Sequence, residues 1–253
     1  MSDSGIRVNK ALAGAGWCSR RKADEWIAAG LVLVNGQKAA PGQRLRPGDL
    51  LQAGDRELRV EEDGLPAVPG GPLYLMLHKP AGVVSTLADP QGRGTVLQLL
   101  PGEYAGRRVF PVGRLDFFSE GLLLLTDDGE LTRRLTHPSF HLPKYYELLV
   151  REGAGDEELA RMRSGMTLAE GETLAPVEVE RVGRKARGEL LRLTLRQGVN
   201  RQIRRMCRDL GLTVLRLRRV GQGPLSLGSL PAGGCRPLKE TEVLALKQAV
   251  GLL

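Results

Sequence analysis

Apolar positions near the start of the chain predict two short helices joined by a turn. Val8, Leu12 and Ala15 recur at helical spacing, and we expect this helix to end near the glycines at 14 and 16. Ser19 is a suitable N-cap for a second helix over 20–29, and Gly30 is a suitable C-terminal stop.

A strand and a hairpin are predicted to follow these helices. Residues 31–34 are apolar, Asn35-Gly36 is a hairpin turn signal, and 50–51 predict a further strand. We interpret residues 1–60 as a small domain. Residues 61–72 combine acids, prolines and glycines, which is typical of a linker.

The remainder of the chain, 73–253, predicts a larger domain in which strands and helices are mixed. Strands are predicted at 73–77, 145–150, 190–195 and 214–217. The runs at 109–112 and 122–125 have little polar alternation, which favours strands covered on both faces. Helices are predicted over 127–137, 157–162 and 201–210, and Thr241 is expected to cap a closing helix. Without regular alternation of strand and helix, this pattern favours an α+β fold over a doubly wound one.

Composition predicts a folded, soluble protein. The chain has 253 residues, of which 42% are hydrophobic and 26% are charged, enough apolar content for a core. The longest uninterrupted apolar run, 122–125, is far shorter than the ~20 residues that cross a bilayer. The first thirty residues contain acids and no apolar block, unlike a secretory signal. We therefore expect a cytoplasmic protein with no membrane partner.

The sequence offers little for a metal or a cofactor. Its three cysteines lie far apart with no C-x-x-C pair. His137 and His141 are four residues apart, but Pro138 lies between them and no third ligand is evident. Neither a G-x-G-x-x-G fingerprint entering a helix nor a phosphate-binding P-loop occurs. We expect no metal, nucleotide or redox cofactor.

Positive charge is concentrated near the C-terminal end. The chain carries 37 Lys and Arg against 29 Asp and Glu, a net charge of +8, which favours polyanionic partners. Residues 201–219 contain seven arginines and a single acid, Asp209. Arg205 and Arg208 are suited to phosphate. They could also form a solvated helix face, although neighbouring arginines would repel one another without phosphate between them.

A second basic cluster, Arg20, Arg21 and Lys22, begins the second helix, where the helix N-terminus adds its own attraction for phosphate. The run Ser19-Arg20-Arg21-Lys22-Ala23, the Gly30 break and Val32-x-Val34-Asn35-Gly36 resemble an S4-type RNA-binding domain. The alternatives are a helix–turn–helix that binds DNA and a structural helical cap.

One carboxylate stands on a connection between two predicted strands. Asp116 ends the run Gly113-Arg114-Leu115-Asp116, just before the strand at 122–125. Such a position suits a nucleophile or a general base. From the residues alone, Asp116 could equally be a turn residue or a salt-bridge partner of Arg114.

Segment 113–129, which begins Gly-Arg-Leu-Asp-x-x-Ser-Glu-Gly, resembles the signature of bacterial ribosomal-RNA pseudouridine synthases of the RsuA/RluB/RluE/RluF branch. Further matches follow in the family's order at 77–86, at Lys144-x-Tyr146, at 198–206 and at 217–225. His78 stands where the family usually has Asn. With the N-terminal domain, the resemblance covers nearly the whole chain.

This resemblance implies a mixed, mainly antiparallel sheet flanked by helices, and an isomerase that needs no cofactor. Uridine becomes pseudouridine when the N1–C1′ bond breaks and the uracil rejoins through C5. The family pattern makes Asp116 the catalytic aspartate and Arg204 its partner. Tyr146 would pack on the target base and take part in proton transfer, and Leu217 would close the pocket.

The resemblance also implies a set of RNA contacts. Arg114 would fill the gap left by a flipped-out uridine, unless it forms a salt bridge. The remaining expected contacts are Arg20, Arg21, Lys22, Lys144, Arg201, Gln202, Arg205 and Arg208.

The expected partner is ribosomal RNA or a pre-ribosomal particle, bound by a monomer. The Gly-x-Asn-Arg-Gln form of segment 198–202 favours the large-subunit RNA. A non-catalytic rRNA-binding or assembly factor is the main rival, but binding alone needs none of Asp116, Tyr146 and Arg204. A DNA-binding regulator is disfavoured by the large second domain and the lack of an evident dimerisation helix.

Overall fold

The computed structural model describes residues 5–61, 71–104, 106–140 and 142–253. Most of the predicted linker, and also His141, lie outside these residues. Two compact units divide the chain, one over Met1–Leu73 with Asp127–Gly129 and the other over Tyr74–Thr126 with Glu130–Leu253. Within the described residues, no helix combines the length and the apolar character that crossing a membrane requires.

The described residues of the N-terminal unit form two helices, α1 and α2, and six short strands, β1 to β6. The helices are α1 (Val8–Gly14) and α2 (Arg20–Ala28). The strands are β1 (Ile6–Arg7), β2 (Val32–Val34), β3 (Gln37–Lys38), β4 (Arg44–Leu45), β5 (Leu50–Ala53) and β6 (Arg56–Arg59). β1 pairs with β4, and the others form an antiparallel sheet in the order β3-β2-β5-β6.

Local signals in the sequence explain these elements. The Ser19 hydroxyl accepts the Lys22 backbone N–H at 3.0 Å and caps α2, and Gly30 follows the helix with a φ of 68°. Asn35 and Gly36 both have positive φ, 52° and 80°, which is the geometry of a type I′ hairpin turn between β2 and β3. The predicted cap and hairpin are confirmed.

The second unit, as far as the structure describes it, is built on one nine-stranded sheet with four α-helices. Its strands are β7 (Tyr74–Lys79), β8 (Phe110–Pro111), β9 (Glu120–Thr126), β10 (Lys144–Val150), β11 (Glu178–Lys185), β12 (Gly188–Leu195), β13 (Val214–Gln222), β14 (Leu225–Ser226) and β15 (Cys235–Pro237). Its helices are α3 (Gly129–Thr136), α4 (Asp156–Ser164), α5 (Gln202–Asp209) and α6 (Glu240–Ala249). The strand order is β11-β12-β10-β13-β9-β7-β15, with β14 beside β13 and β8 beside β9.

The sheet is mixed and mainly antiparallel, as expected for an α+β fold. Among the described strands of this sheet, only β9 and β13 pair in parallel. Every residue from Gly121 to Thr126 in β9 is buried, which confirms that this apolar run is covered on both faces.

Gly121 permits the close approach of β9 and β13. It lies opposite Arg219 with a φ of 110°, and a Cβ placed there would come within 2.2 Å of the Arg219 carbonyl oxygen. A side chain at this position would therefore separate the two strands. The contact brings β9 and the loop before it close to the middle of the sheet.

Two sequence expectations need correction. Thr241 does not cap α6, because the helix begins at Glu240 and its N-cap is Lys239, whose backbone N–H is accepted by the Glu242 carboxylate at 2.8 Å. Strand β11 was not predicted. It is an edge strand in which Val179 alone is buried, so its charged sequence gave no apolar pattern.

Candidate active site

Asp116 lies on the loop between β8 and β9, and the segment after β7 holds this loop in place. The Ser85 hydroxyl donates to the Leu115 carbonyl at 2.9 Å and accepts the Leu115 N–H at 3.1 Å. The Phe117 carbonyl accepts the Gly82 N–H at 2.8 Å. Both neighbours of Asp116 are thus tied to the same segment, which holds the backbone on either side of the carboxylate in place.

Lys79 supports the same loop from within the sheet. It is fully buried, and its ammonium donates to the Ser119 carbonyl at 2.7 Å and to the Pro80 carbonyl at 2.9 Å. Burial lowers the pKa of Lys79 to about 8, against the opposing effect of the negative charges of Asp116 and Glu120. Sequence reasoning gave this residue no role. The available signal was its position at the end of an apolar strand. A lysine is almost never fully buried without partners, so one in such a strand indicates specific contacts.

Helix α5 approaches the loop from the other side. The Arg204 guanidinium donates to the Phe118 carbonyl at 2.8 Å and to the Ser119 hydroxyl at 3.2 Å, and its Nε lies 3.9 Å from Asp116 Oδ2. Arg201 Nη1 is nearer to the same carboxylate oxygen, at 3.6 Å. The sequence pointed to Arg204 as the partner of Asp116, whereas the structure brings two guanidinium groups to it.

A cavity of about 370 Å³ opens beside Asp116. Eight of the predicted site residues line it, namely Arg114, Asp116, Lys144, Tyr146, Arg201, Gln202, Arg204 and Leu217. Tyr146 on β10 lies opposite Arg219 on β13, and Leu217 is 5% exposed and continues into the apolar core. Asp116 is the only carboxylate among the described residues that line the cavity.

Gln202, Arg219 and Gln222 are buried polar residues of the cavity wall. Gln202, an expected RNA contact, is only 5% exposed and lines the cavity. Arg219 and Gln222 also line the cavity and were assigned no role. They were missed because they lie beyond the predicted end of their strand.

The charges of Arg205 and Arg208 are balanced by Glu170 and Glu172 from an earlier turn and by Asp209 of α5 itself. Arg205 pairs with Glu172 at 2.6 Å and with Glu170 at 3.2 Å, and Arg208 pairs with Glu170 at 2.6 Å and with Asp209 at 2.7 Å. These arginines lower the pKa of Glu170 to about 2, Arg208 most strongly. Carboxylates of the protein therefore offset the repulsion between these arginines without phosphate.

The remaining predicted RNA contacts are exposed. Arg20, Arg21 and Lys22 occupy the first turn of α2, and the Lys22 ammonium pairs with Glu25 at 2.7 Å. Arg114 is exposed at the cavity and forms no ion pair within the described part of the chain. The alternative of a salt bridge between Arg114 and Asp116 is therefore wrong.

Metal ligands are not gathered in the described ranges. No group of three or more His, Cys, Asp or Glu side chains there could hold a metal ion. His137 Nδ1 lies 2.7 Å from the Ser139 hydroxyl, in hydrogen-bonding contact.

Comparison with known proteins gives consistent matches along the chain. Residues 73–209 match the family model described as RNA pseudouridylate synthase, and residues 6–51 match the S4 domain. A protein of Aquifex aeolicus named as an uncharacterized RNA pseudouridine synthase is 38% identical, over 98% of this chain and 96% of its own. A Bacillus subtilis protein named ribosomal large subunit pseudouridine synthase B is 35% identical, over 95% of each chain. A crystal structure described as a pseudouridylate synthase aligns at a TM-score of 0.65 and 28% identity, over 95% of this chain and 99% of that one.

Proposed function

Because the chain belongs to the RNA pseudouridine synthase family and carries an S4 domain, we propose that it isomerises uridine to pseudouridine in ribosomal RNA with Asp116 as the catalytic aspartate. Members of this family are isomerases. The observation that carries the proposal is the position of Asp116 as the only carboxylate among the described residues of the cavity wall.

The reaction needs one carboxylate at the ribose. The N1–C1′ bond breaks, the uracil turns, and a C5–C1′ bond forms while C5 gives up a proton and N1 takes one up, so no electrons are gained or lost. A carboxylate can assist by attacking C1′ or by removing a proton from C2′. Asp116 is suited to either role, since its loop is fixed by Lys79 and Arg204 and its side chain faces the cavity.

The other cavity residues are suited to hold a base that has left its helix. A uridine in a stem can reach Asp116 only by flipping out. Tyr146 would pack against the flipped base and Leu217 would close the pocket beneath it. Arg114, which is exposed at the rim, would occupy the gap left in the RNA.

We infer large-subunit rRNA as the substrate. Support comes from the name of the Bacillus subtilis relative and from the Gly-x-Asn-Arg-Gln form of residues 198–202. The net charge of +8 and the S4 domain favour an RNA partner, bound as free rRNA or within a pre-ribosomal particle. An enzyme that acts on rRNA would work in the cytoplasm. We propose that it does so as a monomer.

Replacing Asp116 with Asn tests the assignment. The amide keeps the size of the side chain but neither attacks C1′ nor accepts a proton, so turnover should fall below detection. Affinity for rRNA should be unchanged or higher, because phosphate contacts supply most of it and one negative charge is gone. The measurements are tritium release from rRNA labelled at uridine C5 and filter binding at fixed salt.

Each other outcome has a definite meaning. Full activity of Asp116→Asn would exclude Asp116 as the catalytic group. A wild-type protein that binds rRNA tightly but releases no tritium would support the rival function, a non-catalytic assembly factor. Mapping pseudouridines in rRNA from cells that lack the gene would identify the target nucleotide.

A further inference from the structure

Three buried polar atoms in the cavity wall have no hydrogen-bond partner among the described residues. They are the side-chain oxygens of Gln202 and Gln222 and one terminal nitrogen, Nη2, of Arg219. These residues are 5%, 2% and 3% exposed, respectively. Buried polar groups in folded proteins almost always have partners, so several unpaired ones in one cavity indicate that a polar ligand completes them.

A β-bulge places two of these groups on the same face of the sheet. Arg219 lies opposite Tyr146 and Gln222 lies opposite Lys144, so the additional residue Val220 interrupts the register. Side chains alternate between faces along a strand, and residues three apart would normally point in opposite directions. The bulge turns Gln222 back to the cavity face, beside both Arg219 and Lys144.

Arg219 and Lys144 are cations without a carboxylate partner in the described chain. The Arg219 Nε donates to the Leu122 carbonyl at 2.7 Å, which fixes its guanidinium. The Lys144 ammonium donates to the Leu142 carbonyl at 3.3 Å. Burial, and then the charge of Arg219, lowers the pKa of Lys144. Two neighbouring desolvated cations favour a ligand that carries or develops negative charge.

We propose that Gln222 is the pivot on which the flipped uracil turns, with its side-chain carbonyl accepting the uracil N3–H while Arg219 and Lys144 donate to O2 and O4. The inference rests on the proposed function. Gln222 lies directly opposite Lys144, and Arg219 lines the same cavity on the same face of the sheet, so the wall offers one acceptor and two donors. The uracil edge has the complementary groups, with N3–H between O2 and O4.

The symmetry of uracil explains why these contacts suit an isomerase. When the N1–C1′ bond breaks and the carboxylate acts at the ribose, the bonding electron pair stays on the ring and is shared with O2 and O4. A half-turn about the N3–C6 axis exchanges N1 with C5 and O2 with O4, and leaves N3–H in place. Gln222 can therefore hold the base throughout, and the two cations stabilise its charge before and after the turn. C5 then bonds to C1′ as the carboxylate leaves C1′ or returns the C2′ proton. C5 gives up its proton and N1 takes one up, so the product is a neutral isomer.

The variant Gln222→Met tests the pivot, because Met has a similar size and no acceptor for N3–H. The expected result is a single-turnover rate reduced by about tenfold or more, with an unchanged Kd for the RNA. The melting temperature should stay the same or rise, since an unpaired buried oxygen is removed. The substrate is an unmodified large-subunit rRNA transcript with tritium at uridine C5.

A control distinguishes this role from a structural one. Gln98 accepts the Thr95 N–H at 2.9 Å outside the cavity, so Gln98→Met should lower the melting temperature and leave the rate unchanged. If Gln222→Met behaves like Gln98→Met, the pivot is excluded. A wild-type protein that releases no tritium would instead exclude the proposed function.

A second variant, Lys144→Met, keeps the inference testable if Gln222→Met does not fold. The expected result is again a slower single-turnover rate with an unchanged Kd. A weaker Kd, a salt slope lower by about one and an unchanged rate at saturation would show that Lys144 binds phosphate. That outcome would overturn the proposed pairing of the uracil edge.

Discussion

Lys79 is a buried cation whose main contacts are backbone carbonyls rather than acids. Its two acceptors are Ser119, in the loop that carries Asp116, and Pro80, in the segment after β7 that holds this loop. Burying an ammonium costs free energy that these two hydrogen bonds only partly recover. Lys79 therefore serves to position the loop that carries Asp116 rather than to stabilise the fold.

The pH dependence of stability should reveal this burial. The pKa of Lys79 is lowered from its ordinary 10.5 to about 8, so between these values the unfolded chain keeps a proton that the folded chain has lost. Stability from this residue therefore rises with pH across that window, by at most about 1.4 kcal/mol per pH unit. Urea unfolding of the wild type and of Lys79→Met should be measured on both sides of the window. As pH rises, the free energy of unfolding of the wild type should increase relative to that of the variant. A constant difference between the two proteins would contradict the shifted pKa.

The family motifs predicted the site residues that they contain. They did not predict side chains whose direction depends on how the strands pair. Asp116, Tyr146, Arg204 and Leu217 all reach the cavity. Gln222 could not be found in this way, because its direction depends on a bulge that exists only once β13 is paired with β10.

At the scale of elements, helix α5 has one face in the core and another against an acidic turn. One face is buried through Ile203, Met206 and Cys207. On the other face, Arg205 and Arg208 pair with acids in the turn that is closed by an isolated β-bridge between Thr167 and Thr173. The apolar face of this helix was readable from its spacing. The acids lie more than thirty residues earlier in the chain, so no local pattern could show the pairing.

Freeing these arginines should strengthen RNA binding. The double variant Glu170→Gln, Glu172→Gln removes two negative charges and leaves Arg205 and Arg208 available for phosphate. We expect a lower Kd for rRNA and a salt slope steeper by about one to two, measured by filter binding between about 50 and 200 mM salt. Stability should fall only slightly, because exposed ion pairs contribute little. An unchanged Kd and slope would show that the face of α5 with Arg205 and Arg208 lies away from the RNA.

Strand β13 is longer than its apolar sequence pattern predicts. The sequence predicted a strand over 214–217, and the structure continues it to Gln222. The continuation contains arginines and a glycine, which are not typical of a strand. It forms because β9 and β10 flank it and Gly121 allows the close parallel contact. Its buried polar residues are those that line the cavity.

At the scale of the whole molecule, binding and chemistry are assigned to different parts of the chain. The α+β fold and the order of the two domains were predictable, because ordered motifs extend from residue 19 to residue 225. Asp116 and the cavity belong to the second unit, and the exposed cluster Arg20, Arg21 and Lys22 belongs to the first. If the first unit captures RNA, changes in its cluster should alter affinity without altering the chemical step.

The double variant Arg20→Gln, Arg21→Gln tests this division in the full-length chain. Both side chains are exposed on the first turn of α2, so the variant should remain folded. Each lost phosphate contact lowers the salt slope by about one, so the slope should fall by about two and the Kd for rRNA should rise. At saturating rRNA the rate of tritium release should equal that of the wild type, the reverse of the pattern expected for Asp116→Asn. A lower rate at saturation would mean that the cluster also positions the target uridine, and the separation of capture from chemistry would be wrong.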